Sequence, residues 1–244
     1  MLNRLSYILI FTVLFTSCEK DKFCNCLKGS GSVITEERNI EAFNIIEMNN
    51  NVDLIFTPDS IFKLKVTCGK NIIDGISTTV ENGRLVIKNN NKCNWLRDLK
   101  SRFTVEVSGN GLNELTTYGS GNVNFTDTLY TPFIRIASWD GTGDLDFLIN
   151  ADRTEISIAT GPVNIILHGN SINLGAYSGG NGFLFAEDFV SDFSWTTNQG
   201  TGDFYLNVSK ELKAEIRYTG DIYYSGDPYK ITSNVTGTGN LYKK

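Results

Sequence analysis

The chain has 244 residues, with 22 Lys and Arg against 27 Asp and Glu, and its formal net charge at pH 7 is −5. This acidic balance makes nucleic acid and anionic lipid headgroups poor partners. The sequence therefore predicts no nucleic-acid ligand.

Residues 1–17 predict a secretory signal peptide. Arg4 precedes an apolar run that ends at Phe15 and is too short to span a bilayer. The stretch Phe15-Thr16-Ser17-Cys18 resembles a bacterial lipoprotein box, although Phe15 stands where Leu is usual. In such a box the cysteine becomes the first mature residue and carries acyl chains, and two or more chains anchor a protein durably. We therefore expect Cys18 to hold the protein on a lipid bilayer; an ordinary signal peptide with a nearby cysteine is the alternative.

Residues 18–28 predict a short lipidated tether. Its charged run, residues 18–22, is similar to the tether of surface-exposed lipoproteins of some Gram-negative bacteria, and a plain solvated linker fits it equally well. The sequence thus predicts an outer-membrane lipoprotein of the bacterial envelope, and the likeness of the tether implies exposure at the cell surface as one of two alternatives.

Four further cysteines form an even set in an exported chain, which favours disulfides: Cys24, Cys26, Cys68 and Cys93. A zinc site would need paired Cys-x2-Cys spacings or histidines, and the one histidine, His168, is distant in sequence. A bridge between Cys24 and Cys26 would close a strained ring. We therefore expect each of them to pair with Cys68 or Cys93, and no metal or other cofactor to be required.

Residues 29–111 are rich in predicted strands but irregular. Asn50–Ile55 reads as a degenerate repeat, and Val80–Ile87 predicts a hairpin because its Asn82-Gly83 pair suits a type I′ turn. A short helical turn is expected near Asn71–Gly75.

Residues 112–244 repeat one small pattern, in which a glycine is followed in most copies by a short polar residue and an alternating apolar pair. The interval averages about twenty residues, the mark of a stacked repeat. Each interval also holds an alternating strand-like run before its glycine. The aligned glycines are Gly121, Gly143, Gly161, Gly182, Gly202, Gly220 and Gly239.

The repeat predicts an all-β fold in which successive coils stack into a β-solenoid with one continuous core. Each glycine is expected at a corner that needs positive φ. An antiparallel meander or sandwich is the alternative, and the near-constant interval favours the solenoid. No Pro- or Ser-rich linker divides the chain, so residues 29–244 are expected to form a single domain.

Three stretches together resemble the family of the putative auto-transporter adhesin, head GIN domain. They are Glu36–Phe43 before a strand, Asn91–Trp95 after the hairpin, and Gly220–Pro228 near the end. The resemblance covers nearly the whole mature chain and implies a right-handed parallel β-helix in an envelope lipoprotein. It also implies adhesion, but it carries over no ligand and no functional residues.

Catalytic motifs are scarce. Polysaccharide hydrolysis needs converging carboxylates, and Asp144, Asp203 and Asp221 do share one repeat position, which corner geometry alone also explains. The stretch Asp140–Asp146 is similar to a calcium-binding nonapeptide, but it occurs only once. His168 has no nucleophile nearby in sequence and is expected at the surface. We expect no enzyme, with a polysaccharide-active enzyme the least favoured alternative.

Aromatic residues near the ends of the pre-glycine strands are the better indication of function, because exposed rings offer platforms for sugars or proteins. Alternation places Ile134 and Ile136 inside the coil and Arg135, Ala137 and Trp139 outside. The candidate ligand-binding residues are Trp139, Tyr177, Trp195 and Tyr218.

Two classes of function therefore remain. The first is a membrane-anchored, non-catalytic adhesion module that binds a glycan or a protein. The second is a structural module of an envelope assembly, which an apolar, uncapped end of the solenoid would favour.

Overall fold

The computed structural model describes residues 29–92 and 103–244, and nearly all of their regular structure is β-strand. One turn of 3-10 helix, Ile73–Gly75, lies between β4 and β5, as the sequence predicts. The strands are β1 (Val33–Arg38), β2 (Ile45–Asn49), β3 (Asp53–Pro58), β4 (Lys63–Gly69), β5 (Ile76–Glu81), β6 (Arg84–Asn89), β7 (Thr104–Gly109), β8 (Glu114–Tyr118), β9 (Val123–Phe125), β10 (Leu129–Trp139), β11 (Asp144–Ile158), β12 (Asn164–Ser178), β13 (Phe183–Asn198), β14 (Phe204–Ile216), β15 (Ile222–Ser225), β16 (Lys230–Val235) and β17 (Leu241–Lys243).

Successive coils stack in parallel, which confirms the β-solenoid and rejects the antiparallel meander. The solenoid has about six turns. Leu145 pairs with Ile165, and Ile165 with Leu184, so the chain returns to the same position after 20 and 19 residues. The interval read from the glycines is therefore the length of one coil.

The strands form two faces joined by long bent strands. Face A contains, in order of pairing, β7, β3, β9, the first halves of β11 to β14, then β15 and β17. Face B contains β6, β2, β8, β10, the second halves of β11 to β14, and then β16. Register shifts interrupt the pairing of β12 with β13 and of β13 with β14 where these strands pass from one face to the other.

Antiparallel strands cover the N-terminal end. Strand β4 pairs antiparallel with β7 and β1, and β5 pairs antiparallel with β6. The turn between β5 and β6 has positive φ at Asn82 (51°) and Gly83 (75°), which confirms the predicted hairpin. The irregularity of residues 29–111 thus reflects an end cap of different topology from the repeats.

Alternation along each strand builds the core. Apolar residues two to four positions after five of the repeat glycines point inward, and they stack from coil to coil with at most 1% exposure: Leu145, Ile165, Leu184, Phe204 and Ile222. Near the N-terminal end of face A the ring of Phe125 packs between those of Phe56 and Phe147, with a centroid distance of 4.9 Å to each. One continuous hydrophobic core therefore runs along the solenoid.

The repeat glycines are required by close packing between coils, so their predicted reason, positive φ, is wrong for six of the seven. Only Gly161 has positive φ, at 84°. At each of the others a Cβ would overlap a backbone carbonyl oxygen of the preceding coil; at Gly202, for example, it would meet the oxygen of Gly182. The glycines therefore form a column in which backbone packs directly on backbone.

The short polar residue after the glycine joins one coil to the next. The Asp221 backbone N–H donates to Asp203 Oδ1 at 2.8 Å, and the Asn240 N–H donates to Asp221 Oδ1 at 2.7 Å. The Asp144 N–H donates to Asn122 Oδ1 at 3.0 Å in the same way. The Asp203 and Asp221 carboxylates therefore serve the backbone, as the structural interpretation of the Asp column predicts, whereas the Asp144 carboxylate accepts from the Asn164 side chain at 2.8 Å.

Within residues 29–92 and 103–244 no helix has the length and apolar character to cross a membrane. The predicted signal peptide and the tether up to residue 28 lie outside the described residues.

Candidate binding groove on face B

The outer surface of face B carries an open groove of about 780 Å³. Its lining includes four exposed rings, Tyr118, Trp139, Tyr177 and Trp195, of which Trp139 and Trp195 are 47% and 48% exposed. Three of these four are predicted ligand-binding residues. The groove is hereafter the face B groove.

Strand alternation explains why these rings point outward. Ile134 and Ile136 are fully buried on β10, and Arg135 and Trp139 lie on the opposite side, as predicted. Ala137 also points to the outer side but is only 8% exposed, because its small side chain forms part of the groove floor. The larger side chains around it form the walls.

A ladder of ion pairs lines the other half of the groove. The Arg84 Nη1 lies 3.3 Å from Glu47 Oε2 and 3.7 Å from Glu114 Oε1. Arg135 donates through Nε and Nη2 to Glu155 Oε2 at 3.0 and 2.8 Å. The three carboxylates of the lining therefore all have a cationic partner.

Glu155 is the most heavily bonded of these carboxylates. Partial burial would raise the pKa of Glu155, but hydrogen bonds and charge from Arg135 and Arg153 outweigh it and hold the pKa below its ordinary value. Both oxygens of Glu155 accept hydrogen bonds, one from each arginine. The group is therefore ionised at neutral pH and fixed in orientation.

Gly175 opens a gap between the charged and aromatic halves. Along one row across the strands lie, in order, Glu114, Arg135, Glu155, Gly175 and Trp195. A Cβ at Gly175 would meet only ordinary contacts at 3.8 and 4.0 Å, so packing does not demand glycine here. The missing side chain leaves the Glu155 side of the row open towards the Trp195 ring.

The rings run diagonally across face B. Tyr177 lies one strand from Trp195 and two residues along, so a flat sheet separates their Cα atoms by about 8 Å. Trp139 lies three strands and four residues from Trp195, which corresponds to about 20 Å. The rings therefore form an elongated row rather than one enclosed cage.

Two ring positions differ from the sequence prediction. Tyr218 is exposed, but it lies beyond the end of β14 and does not line the groove. Tyr118, which the sequence reasoning missed, pairs directly with Trp139 across β8 and β10. The alternation of Glu114, Thr116 and Tyr118 on β8 is the sequence signal that could have found it.

The structure places Cys68 as a free thiol in the core rather than in the predicted disulfide. Its side chain points inward on β4 and is 1% exposed, and the described residues include no other cysteine that could reach it. Cys18, Cys24, Cys26 and Cys93 lie outside the described residues. Burial raises the pKa of the Cys68 thiol to about 11, so at neutral pH it carries almost no thiolate.

Cys68 is therefore expected to resist iodoacetamide in the folded protein at pH 8, because the thiolate is the reactive form. After denaturation without reductant the same residue should be alkylated quantitatively, as peptide mass spectrometry would show. A Cys68 peptide that becomes reactive only after a reductant is added would show that the predicted disulfide exists and that the free thiol is wrong.

His168 lies at the surface, as predicted, and belongs to β12. Its Nε2 is 3.4 Å from Asp146 Oδ1 and its Nδ1 is 3.8 Å from Asp188 Oδ2.

Asp140, from the calcium-like stretch, accepts a hydrogen bond from Thr160 Oγ1 at 2.6 Å. Across the described parts of the chain, no cluster of three or more His, Cys, Asp or Glu is placed to hold a metal ion.

Comparison with known proteins gives matches to one family and to solved structures. A family model described as "Putative auto-transporter adhesin, head GIN domain" matches residues 42–228. No curated protein matches the chain in sequence.

Several crystal structures share the fold, among them two putative adhesins and a putative lipid binding protein. A putative adhesin from Bacteroides fragilis is 20% identical, with a TM-score of 0.81 over 87% of this chain and 97% of that one. A putative lipid binding protein from Parabacteroides distasonis is 23% identical, with a TM-score of 0.70 over 88% of this chain and 98% of that one. A putative adhesin from Parabacteroides merdae is 17% identical, with a TM-score of 0.65 over 89% of this chain and 98% of that one.

Proposed function

Because the chain belongs to the putative auto-transporter adhesin, head GIN domain family, we propose that it is a non-catalytic adhesion module of the bacterial envelope. We propose further that residues 1–17 are a signal peptide, that acylated Cys18 anchors residues 29–244 as a single domain, and that the anchor lies in the outer membrane. The face B groove is the proposed ligand site.

An uncharged, elongated glycan suits this groove better than a protein or an ionic ligand. Sugar rings have apolar faces that stack on aromatic rings, and their hydroxyl groups both donate and accept hydrogen bonds. The groove offers exposed rings beside paired Arg and Glu side chains, so donors and acceptors stand together with little net charge. This pairing of an aromatic row with a balanced polar ladder is the observation that carries the proposal.

The same ion pairs argue against hydrolysis. A glycosidase needs one carboxyl group that stays protonated to act as the acid. Hydrogen bonds from Arg135 and Arg153 hold Glu155 ionised, so this carboxylate does not supply that acid. The groove is therefore built to hold a ligand rather than to cleave it.

Removal of a ring should weaken binding without unfolding the protein. We expect the detergent-solubilised full chain to bind neutral linear oligosaccharides on a glycan array. Trp139→Ala and Trp195→Ala should each raise the Kd about fivefold or more, since large interface aromatics contribute over about 1 kcal/mol. Both variants should keep the melting temperature of the parent because their rings are half exposed.

Tyr130→Ala is the matched control. Tyr130 is an exposed ring on β10, as Trp139 is, but it lies outside the groove. An equal loss of binding in this variant, or no binding of the parent to any glycan, would contradict the proposal. Unfolding by Trp139→Ala would show that this ring belongs to the core.

A further inference from the structure

The last coil that the structure describes leaves the core open on its outer side. On β16, Ile231 and Val235 occupy the inward-facing positions that Leu212 and Ile216 occupy on β14. Leu212 and Ile216 are buried, whereas Ile231 and Val235 are 43% and 46% exposed. We call β16, β17 and the intervening loop, residues 230–243, the tip.

Both faces also end in an unpaired edge at the tip. Among the described residues, β16 pairs only with β14 and β17 only with β15. The outer edges of these strands therefore present backbone N–H and C=O groups that can pair with another strand. Solenoids commonly end in a repeat with a polar outer surface that prevents such contact, and β16 has apolar residues at its core-facing positions instead.

The N-terminal end differs. Core-facing residues there are covered, with Val66 fully buried and Ile73 3% exposed, and the antiparallel strands β1 and β4 extend over this end of face A. An end-to-end contact through open core is thus available at the tip and not at the described part of the N-terminal end.

The two lysines of the tip, and Lys244 next to it, are all held by carboxylates of the same chain. Lys230 Nζ lies 3.0 Å from Glu211, Lys243 Nζ lies 2.8 Å from Asp227, and Lys244 Nζ lies 2.6 Å from Glu187. Lysine on an edge strand ordinarily opposes pairing because bringing like charges together is unfavourable. Here the charges are balanced locally, so two identical tips can approach without strong repulsion.

An aromatic stack on face A leads to the tip. The rings of Phe185, Tyr205, Tyr223 and Tyr242 lie nearly parallel on successive strands, with centroid distances of 5.3, 5.0 and 5.2 Å. The last ring, Tyr242, is exposed and has no further coil beyond it among the described residues. An aromatic ring brought by a partner would continue the stack.

From these features we propose that two copies of this chain bind each other tip to tip and form a twofold-symmetric dimer. A twofold contact joins identical patches, and each tip offers the same open core, the same two strand edges and the same neutralised lysines. The contact buries Ile231 and Val235 of both copies. Where each copy is anchored through Cys18, as proposed above, the tips are the ends farthest from the tether, but the tip contact itself does not depend on the anchor.

A charge placed in the open core should abolish the dimer. We expect sedimentation velocity of the detergent-solubilised full chain to show a concentration-dependent dimer, and Ile231→Lys to shift it to monomer at every concentration. Ile172→Lys is the matched control, because Ile172 is similarly exposed, at 46%, but lies on β12 away from the tip. This control should sediment as the parent does.

Three results would overturn the proposal. They are a parent protein that stays monomeric up to the solubility limit, a dimer that Ile231→Lys leaves intact, and a ladder of longer polymers, which would indicate head-to-tail contact. Thermal melts of each variant distinguish loss of the interface from loss of the fold. If Ile231→Lys itself unfolds, Val235→Lys repeats the test at the other end of β16.

Discussion

Replacing Gly202 by valine is expected to lower the free energy of unfolding by about 1–3 kcal/mol, the range for overpacking a close-packed interior. The cause is steric. A Cβ at residue 202 would overlap the carbonyl oxygen and carbon of Gly182, so one coil would have to move away from the other. Gly202 is also followed by Asp203, whose carboxylate accepts the Asp221 N–H, and displacement of the backbone would disturb that bond as well.

Gly175→Ala separates this effect from the general cost of replacing glycine in a strand. Its Cβ would have ordinary contacts, and alanine also reduces the freedom of the unfolded chain, so stability should be unchanged or slightly higher. Lys213→Ala, at an exposed position, should change stability by less than about 0.5 kcal/mol. Denaturant midpoints measure all three variants. A Gly202→Val protein as stable as the Gly175→Ala protein would refute the column of backbone contacts.

The coil length and the inward and outward sides of the strands could be predicted from the sequence because both are periodic. Every twentieth residue or so is glycine, and alternation places Ile134 and Ile136 inside. The reason for the glycines could not be predicted in this way. Positive φ and close backbone approach both select glycine. Gly161 has both, whereas Gly202 has only the close approach, which depends on the position of the neighbouring coil.

The groove was predictable only in part for a similar reason. Alternation assigns Trp139 to the outside, but it does not show which rings share a row, because that depends on the register between coils. Tyr218 was grouped with the other rings from the sequence, but it follows the end of β14 and therefore lies outside the groove. Arg135 and Glu155 are 20 residues apart and pair directly across β10 and β11, so the coil length could have predicted their ion pair.

The covalent anchor is a separate question, since Cys18 lies outside the described residues and its role rests on the sequence. Arg4, the apolar run to Phe15 and the small residues Thr16 and Ser17 stand in the order that a lipoprotein signal requires. If Cys18 carries two or more acyl chains, the protein is held durably on the membrane, because a single chain gives only marginal binding.

Cys18→Ala is therefore expected to move the protein from the membrane fraction to the soluble fraction of an expressing bacterium and to abolish labelling by a fatty-acid analogue. The nearby Cys24→Ala is the matched control and should keep both the label and the membrane association, because Cys24 does not follow the small residues of the signal. A Cys18→Ala protein that is still labelled would exclude Cys18 as the anchor. A parent protein that is soluble and unlabelled would establish the alternative, an ordinary cleaved signal peptide, while leaving the groove and the tip on the folded domain unaffected.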